Sequence, residues 1–228
     1  MTEAIPSSPV ESQPQAKRPP AQRTAQQPRP ANPALERLFE LYPKMFGAQF
    51  LPLKLGVFQD LLARHPDDFK KDELKLAMGQ HARSTRYLEG VASGLARHDL
   101  DGNPVEPVSP EHVHHAILEV FRRRQARSKE DLRPRLRMKI IHAVEASGLS
   151  REDYAERVRV QDEAANTLLD EALAEMGLQA AKREALVRAF EASGKPVEEF
   201  AGMYGMDVAQ VEYVVARVHE DAASKASV

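Results

Sequence analysis

Ser84, Thr85, Arg86 and Tyr87 stand in a row, and ten residues after the tyrosine Arg97-His98 runs into Asp99-Leu100-Asp101-Gly102-Asn103-Pro104. Two hydroxyls before an arginine and an aromatic ring read as a helix entry. The free N–H groups of a first helical turn and the positive end of its dipole attract phosphate, and the hydroxyls add donors. The Tyr87 ring offers a face to a base or a hydroxyl to a phosphate, with a half-buried core tyrosine as the plainer role. Asp-Gly followed by Asn-Pro between short apolar runs is a strong hairpin-turn signal, so Arg97 sits on a strand beside a tight turn. Lys54, in Pro52-Leu53-Lys54-Leu55, is a cation at the end of an element. Together these groups suit an anion carrying a flat ring, which is a nucleotide. Arg83 and Arg64 join the candidates, with solvated surface as their alternative. Arg122, Arg123, Arg124 and Arg127 form a basic helix end that could track a duplex or complement the helix dipole.

Catalytic constellations are missing from the sequence: it has no GxGxxG, no Walker A loop, no HExxH and no GxSxG. His112, His114 and His115 cluster, yet no third ligand stands at a telling spacing. Asp99 and Asp101 belong to a turn, where aspartates bond their own backbone. The expectation is a binding protein, not an enzyme, with no metal and no organic cofactor.

The elements that must carry these residues are mostly helical. Asn32-Pro33 reads as a helix cap and first residue, followed by Leu35, Leu38, Phe39 and Tyr42 on one face until Pro43. A second helix is expected from Lys54 to Arg64, with Leu55, Phe58, Leu61 and Leu62 inward. A third spans Asp72 to His81 and a fourth Ser84 to Val91. The hairpin strands are expected at Ala96–Leu100 and Val105–Val108, and Ser109-Pro110 caps a helix reaching about Arg127.

Beyond a charged connector at 128–136 lies an internal repeat. Ala143–Gly148 (AVEASG) recurs as Ala189–Gly194 (AFEASG), an offset of 46. At the same offset Glu152-Asp153-Tyr154-Ala155 matches Glu198-Glu199-Phe200-Ala201, and Leu168-Leu169 matches Val214-Val215. Two related three-helix modules follow from this period. The C-terminal copy has the pattern of a helix-turn-helix, with Ala201 packed between helices, Gly205 in the turn and Val211 as anchor. In the first copy Arg159 takes the turn position, so that copy is degenerate. The presumed recognition helix carries Asp207, Gln210 and Glu212 but no arginine. That weighs against DNA, because phosphates dominate affinity, and favours helical packing or a protein partner through 137–221.

Length and composition frame the rest. The 228 residues carry a net charge of −2 and no cysteine, which excludes disulfides and thiolate metal sites and fits a reducing cytoplasm. The charge is graded, +2 over residues 1–33, +1 over 34–127 and −5 over 128–228. No apolar run is long enough to span a bilayer, and the N-terminus has no secretory apolar core. The expected organisation is a proline-rich disordered tail over 1–32, a domain at 33–127, the connector, a helical repeat region at 137–221 and a tail at 222–228. The fold class is mainly α with one small antiparallel β-hairpin, followed by an all-α C-terminal region of helix-turn-helix-like modules.

PLKLGVFQDL at Pro52–Leu61, RYLEG at Arg86–Gly90 and ARHDLDGNP at Ala96–Pro104, in that order, resemble the ProQ/FinO RNA-chaperone domain from about Pro33 to Arg127. The resemblance implies binding of structured small RNAs at a terminator hairpin with a 3′ U-rich tail. It further implies protection from degradation, pairing with target mRNA and post-transcriptional regulation. It places Lys54, Tyr87 and Arg97 in the pocket and Ser84-Thr85-Arg86 on backbone phosphates. Where several relatives carry an arginine on the preceding helix, Gly79 stands here, with Gln80 and Arg83 as substitutes. The alternatives from other classes are a DNA-binding regulator that uses the C-terminal module and a protein adaptor.

Overall fold

A computed structural model describes residues 32–226. Apart from Asn32, the tail expected over 1–32 lies outside the described residues. Asn32 Oδ1 accepts the N–H groups of Ala34 and Leu35 and opens α1 (Pro33–Leu41). This satisfies two donors that a helix start would otherwise leave unpaired. The chain then enters a π-helical turn at Pro43–Ala48 instead of stopping at Pro43, and this turn buries Met45 and Phe46 completely.

Helix α2 (Val57–Arg64) begins three residues later than the apolar spacing predicts. Lys54 N–H donates to the His98 carbonyl at 2.8 Å, and Leu53 forms a parallel bridge with His98. That pairing holds the backbone extended until Gly56 turns it at φ +85°. Leu55 consequently stays exposed instead of joining the core. Helix α3 (Lys71–Ala82) and helix α4 (Thr85–Ala92) follow, and Ser84 Oγ accepts the Tyr87 N–H as the cap of α4.

The hairpin strands are short, β1 (Arg97–His98) and β2 (Pro104–Glu106), with a register irregularity at Arg97/His98. Asp99 shortens them. Its carboxylate accepts the N–H groups of Asp101 and Asn103, both at 2.9 Å. Those bonds, with Asn103 the largest cause, hold the Asp99 carboxyl below its ordinary range. Helix α5 (Pro110–Gln125) completes this part.

The repeat is visible as geometry. Helix α6 (Arg133–Ser147) and helix α8 (Glu163–Ser193) end alike, at Gly148 and Gly194, both left-handed. Ser147 Oγ donates to the Val144 carbonyl and Ser193 Oγ to that of Phe190, each at 2.7 Å. Helix α7 (Arg151–Val158) matches α9 (Val197–Tyr204) residue for residue at the same offset, and buries Tyr154 where α9 buries Phe200. Gly205 makes the second turn at φ +64°, while Arg159 leaves α7 extended. Helix α10 (Val208–Ala226) anchors through Val211. It runs past the expected end at 221, in keeping with helix formers such as Ala222 and Ala223.

Three apolar clusters hold these elements. One joins α1, the π-turn, α2 and α3 through Leu38, Phe46, Leu61 and Leu74. The second passes without a break from α4 and α5 (Val91, Val113, Ile117) into α6, α7 and the first part of α8 (Ile140, Tyr154, Leu169). A third and much smaller one, Phe200, Ala201 and Val211, serves α9 and α10. A fully buried large apolar side chain contributes about 1.5–3 kcal/mol, so the third cluster is the least stabilised.

Candidate nucleic-acid interface

Three residues distant in sequence meet at Leu53. Tyr87 Oη accepts the Leu53 N–H at 3.2 Å, Arg97 Nη1 donates to the Leu53 carbonyl at 3.0 Å, and Lys54 is the next residue. The strand-like pairing with His98 makes this possible, because it presents both backbone groups of Leu53 sideways. Lys54 Nζ reaches Asp60 at 3.0 Å and is partly exposed.

Arg97 is held firmly, its side chain only 12 % exposed and Glu106 at 3.9 Å. Its Nη2 also meets His112 Nδ1 at 3.2 Å. A guanidinium can only donate, so Nδ1 accepts, and a neutral His112 carries its proton on Nε2. Ser109 Oγ touches the same Nδ1 at 3.1 Å. This chain of contacts ties the hairpin to the start of α5.

Tyr87 is half-buried and packs against both large clusters. Its hydroxyl spends a lone pair on Leu53 and keeps its proton to donate. Behind it lies His81, which is 2 % exposed with no polar partner for either nitrogen among the described residues. The imidazole stacks on Phe50 at 5.0 Å and also meets the rings of Phe46 and Tyr87. Burial pushes its pKa down to about 4.

At the start of α4 the candidates divide. Ser84 is occupied as the cap. Thr85 Oγ1 accepts from Arg123 Nη1 at 3.2 Å, and the same nitrogen donates to the Arg83 carbonyl at 2.8 Å. Arg86 is exposed, its guanidinium 5.6 Å from the centroid of the Phe50 ring, a cation–π arrangement. Arg83 folds back over Gly79, its Nη1 3.3 Å from where a Cβ would stand. Gln80 instead turns to Asn32. Arg83 thus supplies the positive charge beside Gly79.

Arg64 takes no part in the hydrogen bonds at Leu53. It makes a paired contact with Asp101 at 2.8 and 2.7 Å and fastens the hairpin turn to α2. The basic end of α5 is largely neutralised, since Arg122 meets Asp162, Arg123 meets Glu119 and Arg124 meets Glu89. The three histidines diverge: His112 joins Arg97, His115 is exposed, and His114 is buried against Tyr154 Oη at 3.3 Å. Phe50 and His81 are supporting residues that sequence patterns did not single out, and His112 and Arg123, noted there only as members of a histidine cluster and a basic helix end, prove to be partners of Arg97 and Thr85.

A helical domain with a short hairpin, and a lysine, a tyrosine and an arginine gathered at its Pro-Leu-Lys segment, define the class. Residues 28–133 match the ProQ/FINO family, so this segment is a domain of that family. Among its relatives, the RNA chaperone ProQ of Shewanella frigidimarina is 45% identical over 91 residues, 38% of this chain and 45% of the relative. The RNA chaperone ProQ of Aeromonas salmonicida is 42% identical over 105 residues, 41% of this chain and 50% of the relative. The chain thus spans about half the length of these curated relatives. A crystal structure of a FinO-like RNA chaperone from Neisseria meningitidis MC58 is 30% identical and covers 36% of this chain and 84% of that one, with a TM-score of 0.33. Among the described residues no helix is long and apolar enough to cross a membrane.

Proposed function

We propose that this protein is an RNA chaperone that takes structured small RNAs by a terminator hairpin and its 3′ single-stranded tail. By holding the tail it would protect the RNA from degradation in the cytoplasm and present it to a target mRNA. The observation that carries this reading is the convergence of Lys54, Tyr87 and Arg97 on Leu53, beside the start of α4. Lys54 supplies a phosphate partner, Arg97 a rigid cationic wall, and Tyr87 a ring and a remaining O–H. Arg86 and Arg83 extend the positive edge, with Ser84 and Thr85 shaping the helix start between them. An A-form duplex shows side chains little sequence, so shape and the free end are what such a surface can recognise.

The test is a gel-shift titration of the full chain at fixed salt. The ligands are a terminator hairpin with its U tail, the same hairpin without the tail, and a DNA duplex of equal length. Selective binding of the tailed hairpin is expected. Tyr87→Ala should weaken it about 5- to 150-fold if a base stacks there. Tyr87→Phe, which keeps the ring, should lose much less. Lys54→Ala should make the salt dependence shallower by about one phosphate contact. Equal, salt-sensitive binding of all three ligands would overturn the reading.

A further inference from the structure

Between α4 and the β2–α5 connection on one side, and α6 and α7 on the other, lies a groove of about 720 Å³. Its floor is apolar, with Val108, Val113 and Ala143, and Tyr154 lies beneath it. Its basic lining residues are Lys139, His142 and Arg157, and no carboxylate lines it. None of the three has an ion-pair partner within 4 Å among the described residues, and all are exposed. Residues 128–228 carry a net charge of −5, so this charge is sided. The acidic groups of α8 lie elsewhere, Glu171 and Glu175 pairing with Arg137 and Asp170 with Arg159. The cations are turned toward the RNA-family domain.

Helix α4 and the Ser109–His112–Arg97 contacts link the groove to the candidate interface. Helix α4 begins at the Ser84–Tyr87 site and ends at Ala92 and Ser93 on the groove wall, about 10 Å further on at 1.5 Å per residue. Ser109, also on the wall, shares His112 with Arg97. We infer that this groove is a second RNA subsite, in which Lys139, His142 and Arg157 bind the phosphates of a single-stranded flank of the hairpin while Met138 and Val108 pack against its bases. The inference rests on the proposed RNA-binding function. It assigns to the C-terminal region a direct part in RNA uptake that its net charge disguises.

The test uses the full chain and four RNAs built on one hairpin: with the U tail alone, with an added 5′ single-stranded flank, with a lengthened 3′ flank, and with neither. One of the two flanked RNAs should bind several-fold more tightly than the U-tailed hairpin. In K139A/R157A that gain should vanish, while binding of the U-tailed hairpin stays at the wild-type level. The salt slope for the flanked RNA should become shallower by about 1.4, two single-strand phosphates. A photocrosslinker in place of Met138, which is 56 % exposed, should form adducts with the flank. Binding of the U-tailed hairpin without any gain from either flank would overturn the inference and leave the proposed function standing. Failure of the wild-type chain to bind any of the hairpins would remove both. Crosslinks from position 138 in cells that reach protein and never RNA would give the groove to a peptide partner and overturn the inference as well.

Discussion

Lowering the pH from 6.5 toward 4 should destabilise the fold by about 3 kcal/mol for each of His81 and His114. Both histidines are buried, 2 % and 3 % exposed, and burial pushes each pKa from 6.5 to about 4. The folded state therefore holds the neutral imidazoles, while the unfolded chain takes up protons below pH 6.5. Stability is full above that value and declines as the pH falls, by about 1.4 kcal/mol per pH unit per histidine. Urea unfolding at pH 7, 6 and 5 measures the slope above the range where carboxylates titrate. His81→Met should remove about half of it. A stability independent of pH between 6.5 and 5 would contradict the neutral burial of these rings.

Gly90→Ala should cost about 1–3 kcal/mol, the usual penalty for forcing extra volume into a packed site. A Cβ at this position would stand 2.6 Å from the Phe50 carbonyl oxygen. That oxygen is backbone, and it cannot simply retreat. Phe50 is in the left-handed region at φ +52° and its ring is stacked on His81. Because the same ring lies under Arg86, a shift of Phe50 should also loosen the start of α4. Gly202→Ala provides the contrast. Gly202 is within α9, with nothing within 4 Å of its would-be Cβ. That substitution should stabilise by about 0.5–1 kcal/mol. Thermal melts of the two variants against the wild type decide the matter, and a Gly90→Ala protein as stable as the parent would refute the close approach.

The local signals were legible where a side chain acts on its own backbone. Asn32 and Ser84 cap the helices they precede, Asp99 closes the hairpin turn, and the two AxEASG segments end their helices in the same way. Lys54, Tyr87 and Arg97 could be picked out by type and family pattern, but their meeting point could not. It depends on a backbone bridge between Leu53 and His98, which no periodicity encodes. That bridge also removed Lys54 and Leu55 from the helix that apolar spacing predicted. The relation between Arg83 and Gly79 was likewise hidden, since an exposed arginine has many directions available and the choice is made by packing. Charge summed along the chain missed the groove, because helices segregate opposite charges onto different faces.

The 31-residue α8 belongs to two clusters of unequal size. Its first turns are locked against α6 within the large cluster, whereas its last turns support only Phe200, Ala201 and Val211 with their partly buried neighbours. The duplicated modules should therefore open in sequence. Amide hydrogens of α9 and α10 should exchange with deuterium through sub-global fluctuations, while those of α5, α6 and early α8 wait for the whole molecule to unfold. A segment that detaches at low free energy without disturbing the rest can be ordered by whatever it meets. The duplication thus leaves one copy as part of the scaffold and the other available for capture.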